Sequence, residues 1–262
     1  MASQHRIEPY RQQKTKSHRR KQRKSRKRII LVICVFLVAV FFARPLLERV
    51  LVEGQESSRI GLEKSDNEMP DNPELEAFLK KYEKGNYKSG QEIKYTKKEL
   101  EADFPQLMQW DKRWGFDPYG SSVIGITGCA PTTMAMVIVG LNGDDTVNPR
   151  VLADFSTQNG FYESGSGTKW AFFEACASAY GITCRELPLS EDSILSSVRA
   201  GDPVICGMRP GHFTTGGHFI AIVGEEDGKL IIHDPNNLAN CEREWEYETI
   251  ENEIKVLWSF SK

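Results

Sequence analysis

Four residues of this sequence have the types and spacing to form and break an amide bond. Cys129 stands between a run of small residues, 121–128, and an apolar run, 130–141. Pro131 suits the first turn of a helix, where its missing N–H would have had no partner. Met134, Val137, Ile138 and Leu141 recur at helical spacing, so the run is expected to bury one face. Cys129 is thereby placed at a helix N-terminus, where the dipole and free N–H groups favour a thiolate. Gly128 is expected to keep the approach to the sulfur open. A buried structural thiol is the other reading of a lone cysteine.

A cysteine nucleophile needs a base. Outside the basic N-terminal tail the histidines are His212, His218 and His233. His218 leads directly into the apolar run 219–224, which reads as a central strand. Asp227-Gly228 signals a tight turn, and 229–233 runs back. With a two-residue turn, residue 226 faces 229 and His218 faces Asn237, three residues beyond Asp234. His218 and Asp234 then share the open end of one hairpin and the same parity along their strands. A carboxylate there can hold the imidazole and set its tautomer. His233 has the opposite parity and is expected on the other face. His212 lies in a Gly/Pro-rich loop with no such partner in sight. A histidine with a purely structural role is the alternative for His218. Gln109, in the polar and aromatic stretch 105–115, offers a side-chain amide to a developing oxyanion beside the Cys129 N–H; its alternative is an ordinary surface glutamine. A metal site from Cys206, His212, His218, His233 and Cys241 lacks the paired spacing of zinc ligands.

These residues need elements to position them. Asn72-Pro73-Glu74 reads as a helix start, with Leu75, Phe78, Leu79 and Tyr82 on its apolar face and Gly85 at its end. Thr96-Lys97-Lys98-Glu99 is a capping box for a short helix ending near Pro105. Further helices are expected over 149–160, from a Thr168 cap to Tyr180, and from Ser190 to Ala200. Strands are expected from 182, over 203–208, and over 256–260 as the closing strand. Helices first and an antiparallel sheet after make the class α+β.

The charge is divided unevenly. Residues 1–44 hold 13 Lys/Arg against one acid, a sum of +12, and the remainder holds 21 against 35, a sum of −14. Residues 1–28 form a basic tail. Residues 29–43 carry no charge, and Arg44-Pro45 closes the run. A basic flank before an apolar run is the layout of an export signal, with the tail kept in the cytoplasm. Phe41-Phe42-Ala43 is a poor cleavage site, so an uncleaved signal anchor over 29–47 is expected, extended by Leu46-Leu47. A polar stalk over 48–71 and a catalytic domain over 72–262 outside the cytoplasm follow. The acidic outer portion disfavours nucleic acid as a partner. Cys176, Cys184, Cys206 and Cys241 can form disulfides there or remain buried thiols.

In order and spacing, Gln109-Trp110-Asp111-Lys112-Arg113-Trp114-Gly115, Gly128-Cys129-Ala130-Pro131-Thr132, Gly217-His218-Phe219-Ile220 and Asp234-Pro235-Asn236 resemble the C39-like branch of the papain-like cysteine peptidases. The resemblance extends from about Asn72 to the C-terminus. It implies a papain-like fold, with a helical half carrying the cysteine and a sheet half carrying the histidine. It also implies Cys129 as nucleophile, His218 as base, Asp234 as orienter and Gln109 as oxyanion donor, with no cofactor. Ala130 stands where relatives often have glycine, a small change. With one candidate span and no phosphate-binding loop, the chain lacks the exporter that accompanies peptidases cutting double-glycine leaders. The expected function is membrane-anchored extracellular cleavage of peptide amide bonds. The alternatives are a cell-wall peptide amidase or transpeptidase on the same fold, or a non-catalytic surface binding domain.

Overall fold

A computed structural model describes residues 72–262. The expected tail, anchor and stalk lie outside the described residues. Among the described residues no helix is long and apolar enough to cross a membrane.

The chain opens with helix α1, Pro73–Glu83, and helix α2, Lys97–Glu101. Both start as the sequence indicates. Asn72 caps α1 by accepting from Leu75 N, and Thr96 and Glu99 form the reciprocal capping box of α2. A two-stranded ribbon, β1 (Pro118–Tyr119) with β2 (Ser122–Val123), leads into the short helix α3, Ile124–Thr127. Helix α4, Cys129–Asn142, follows, then α5, Pro149–Gln158. A second ribbon, β3 (Tyr162–Glu163) with β4 (Gly167–Thr168), precedes α6, Ala171–Ala179. Thr168 does not cap α6. It belongs to β4, and its hydroxyl lies 2.5 Å from that of Tyr119.

The second half contains β5 (Thr183–Leu187), α7 (Glu191–Arg199), β6 (Val204–Met208), β7 (His218–Glu226) and β8 (Lys229–His233). Helices α8 (Leu238–Glu242) and α9 (Tyr247–Ile250) and a single 3-10 turn lead to β9, Ile254–Ser261. The five longer strands form one antiparallel sheet in the order β5-β9-β6-β7-β8. The closing strand is therefore internal, inserted between β5 and β6. The α+β class holds.

The sheet separates two cores. On one side Ile205, Phe219, Val256, Trp258 and Phe260 pack with α4, α5 and α6. On the other, Cys206, Ile220, Ile222, Leu230 and Ile232 pack with Ile194 and Val198 of α7 and with Trp245. Helix α4 is enclosed on every side, with all residues from Ala130 to Val139 buried. The single buried face expected from periodicity is too narrow, because α4 is apolar all round and sits inside the first core. Thr133 fixes its start against the sheet, with Oγ1 2.7 Å from the Cys129 carbonyl oxygen and 3.2 Å from that of Phe219.

Candidate active site

Cys129 is the first residue of α4 and is half-buried. The N–H groups of this first turn have no partner within the helix. Gly128 is needed for the turn itself. A Cβ there would lie 2.4 Å from the Ile124 carbonyl oxygen and 2.6 Å from Ile124 Cγ2, so the turn between α3 and α4 closes only around glycine.

His218 is the first residue of β7 and is buried. Its Nε2 lies 2.8 Å from Asp234 Oδ1, and Cys129 is close enough to act on the charge of the ring. Nε2 is occupied by the carboxylate, which leaves Nδ1 for the sulfur. Burial is the strongest single influence on the ring and opposes its charge. The Asp234 carboxylate and its hydrogen bond, with Cys129 on the other side, together outweigh burial and raise the pKa to about 10. The charged form of the ring is therefore favoured, chiefly by the Asp234 carboxylate.

Asp234 is fully buried, and its carboxylate oxygens all have donors. Besides His218, Oδ1 accepts from Asn236 N at 2.8 Å, and Oδ2 accepts from Asn240 Nδ2 at 2.7 Å. Its position on the His218 face comes from a register shift. The pairs Glu226–Lys229, Glu225–Leu230 and Gly224–Ile231 follow the expected turn, but Ile222 then pairs with Ile232 and Ala221 with His233. An unbroken register would turn the odd residues of β8 toward His218. The bulge at Val223 brings even residues opposite even ones, so Ile220 and Ile222 share a core with Leu230 and Ile232. The expected pairing of His218 with Asn237 is corrected accordingly, and so is the expectation that equal parity in an unbroken hairpin puts Asp234 on the His218 face and His233 on the other; Asp234 reaches His218 because of the bulge.

Gln109 is buried, not on the surface. Its backbone N donates to Pro235 O at 2.7 Å, and its Nε2 donates to two carbonyl oxygens of α3, Gly125 O at 3.1 Å and Ile126 O at 3.4 Å. It thus joins the loop after Asp234 to the turn before Cys129. Oε1 is buried without a partner.

The other histidines stand apart. His233 pairs with Ala221, one parity off His218, so it faces the other side of the sheet. Burial pushes its pKa down to about 4, against the opposing effect of a hydrogen bond to the Pro105 backbone. His212 does have a carboxylate partner, contrary to expectation, in Glu253 at 2.5 Å. That partner comes from the 3-10 turn far along the chain. Nothing in the sequence marks Asn240, since an asparagine six residues beyond an aspartate carries no signal of its own. The five cysteines among the described residues are free thiols.

The model of the Peptidase_C39 like family matches residues 101–261. The chain belongs to this family. It is a C39-like cysteine peptidase with mixed helices and antiparallel sheet. No curated protein matches the chain. Among solved structures it is similar to the peptidase domain of Streptococcus ComA, a bi-functional ABC transporter involved in a quorum sensing pathway. The identity is 17%, the match covers 52% of this chain and 91% of that one, and the TM-score is 0.41. It is also similar to xylellain, a cysteine protease from Xylella fastidiosa, with 15% identity, 67% and 96% coverage, and a TM-score of 0.40. Ahead of the matched residues lie α1, the segment that follows it and all of α2 but Glu101.

Proposed function

We propose that this peptidase hydrolyses peptide amide bonds with Cys129 as nucleophile, His218 as general base and acid, and Asp234 as orienter. The observation that carries the reading is the His218 ring, buried between Asp234 and Cys129 with Nε2 committed to the carboxylate. In this mechanism the Cys129 sulfur attacks the substrate carbonyl carbon as a thiolate, its proton residing on His218. The oxyanion of the tetrahedral intermediate is met by the Cys129 N–H and the Gln109 amide. As the intermediate collapses, His218 gives its proton to the leaving amine and the C–N bond breaks, leaving an acyl-thioester on Cys129. His218 then takes a proton from water, whose oxygen attacks the thioester. The acid departs and the Cys129–His218 pair is restored.

The location is proposed from sequence. A basic tail over 1–28, an uncharged run over 29–43 and an acidic remainder support a signal anchor over 29–47 that places the peptidase outside the cytoplasm. Peptides or cell-wall peptides at that surface are then its substrates. Protease digestion of intact cells tests the topology: loss of the catalytic domain without lysis agrees, and protection until lysis overturns it.

The chemistry is tested by iodoacetamide labelling of Cys129 across pH 4–9, with Cys129→Ala and His218→Ala alongside. Fast labelling that persists well below the ordinary thiol pKa of about 8.5 and weakens in His218→Ala is expected. Labelling no faster than an ordinary thiol would overturn the reading.

A further inference from the structure

Helix α1 lies ahead of the residues matched by the family, yet its contacts end on both sides of the candidate site. Phe78, on its buried face, is 5% exposed. Its ring stacks on Phe116 with centroids 4.4 Å apart. The ring also fills the space where a side chain at residue 125 would stand, since a Cβ on Gly125 would lie 2.2 Å from Phe78 Cζ. Gly115 is approached as closely, with a Cβ there 2.9 Å from Phe78 Cε2. Gly125 N donates to Gly115 O at 2.8 Å, so the two glycines form one backbone platform beneath the ring. The carbonyls of Gly125 and Ile126 are the acceptors that hold Gln109 Nε2, at 3.1 and 3.4 Å. At the other end of α1, Asn72 Nδ2 donates to Asn236 O at 2.7 Å, and Trp110 Nε1 donates to the same oxygen at 2.8 Å. Asn236 N is in turn a donor to Asp234.

We propose that α1 is a positioning element of the peptidase site, with Phe78 acting through the Gly125 backbone to set the Gln109 amide beside Cys129. Phe78 touches neither substrate nor the reacting atoms. Its part is to keep the turn before Cys129 at the height at which Gln109 can serve an oxyanion, and the bond from Asn72 to Asn236 keeps α1 docked. The proposal rests on the Cys129–His218 mechanism and on Gln109 as oxyanion donor. It makes the junction between the N-terminal segment and the peptidase part of the catalytic apparatus, so that undocking α1 lowers turnover without dismantling the Cys129–His218 pair.

Two probes separate these effects in the full chain. Acylation by an N-acyl dipeptide p-nitrophenyl ester passes through a tetrahedral oxyanion. Alkylation of Cys129 by iodoacetamide does not, and reports the thiolate alone. Phe78→Ala is expected to lower acylation about tenfold or more, as displacement of an oxyanion donor does, and to leave alkylation unchanged. In a Gln109→Ala background it should cause no further loss of acylation. Should Phe78→Ala fail to fold, Phe78→Tyr carries the same comparison. It keeps the ring but drives a hydroxyl from Cζ into Gly125, and it should lower acylation alone. Unchanged acylation in the folded variant, an equal fall in both rates, or a full additional loss in the Gln109→Ala background would each overturn the proposal. A wild-type Cys129 that alkylates like a free thiol would instead overturn the mechanism, and this inference would fall with it.

Discussion

Asn240 Nδ2 donates to Asp234 Oδ2 at 2.7 Å, while the other carboxylate oxygen holds His218. Asn240 is itself 1% exposed, and its backbone oxygen accepts from Trp245 Nε1 at 2.8 Å. Its Oδ1 has no partner, so the amide is oriented by the carboxylate. Asn240→Ala would leave a buried carboxylate oxygen without its donor, at a cost of about 1–3 kcal/mol. Lower stability in urea and slower amide hydrolysis are expected. In an Asp234→Ala background the same substitution should have little further effect on rate. A full independent loss there would show that Asn240 acts by another route.

Gln109 has a sharper signature. Gln109→Ala should reduce ester acylation on the order of 100-fold, the loss measured when a single oxyanion donor is removed. Iodoacetamide alkylation of Cys129 should be unchanged, since the thiolate does not depend on that amide. A parallel fall in both rates would assign Gln109 to holding the loops together and leave the oxyanion to other donors.

The His218–Asp234 pair fixes a pH dependence. The folded-state pKa of His218 is raised from 6.5 to about 10. The pair's stabilisation is therefore fully present below pH 6.5 and is lost as pH rises toward about 10. Urea titrations should show the stability gap between wild type and His218→Ala narrowing over that window. Hydrolysis of a peptide p-nitroanilide, which needs the imidazolium to protonate the leaving amine, should fall along the same limb. In Asp234→Ala the limb should move down toward 6.5, and breaking a buried pair should cost about 3–5 kcal/mol. An alkaline limb that stays in place would remove Asp234 from the mechanism.

The remaining described thiols should be slow. Burial pushes Cys176, Cys184 and Cys241 up to about 12 and Cys206 higher still. Brief iodoacetamide treatment of the native chain at neutral pH, followed by peptide mapping, should find label on Cys129 and not on these four. Equal label on any of them would show that its surroundings open readily.

Much of this arrangement was legible because its causes are local. Pro131 and the apolar run after Cys129 set the start of a helix, and the caps at Asn72, Thr96 and Ser190 set three more. Asp227-Gly228 set the hairpin that carries His218. Asp227 takes a positive φ of 53°, and Gly228 follows at 83°. The types and order of Gln109, Cys129, His218 and Asp234 point to acyl transfer by themselves.

Other features depend on partners far along the chain. The bulge at Val223 decides which parity of β8 faces His218, and apolar residues on both sides of β7 leave no alternation to betray it. Glu253 reaches His212 across 41 residues, and Asn72 reaches Asn236 across 164. Phe78 reads as an ordinary core residue until Gly125 is seen beneath its ring. The sequence by itself determined which groups are available for chemistry and which end of which element each occupies. Only the tertiary structure decided which of them meet, because a register shift and a close backbone approach are settled by packing between distant segments.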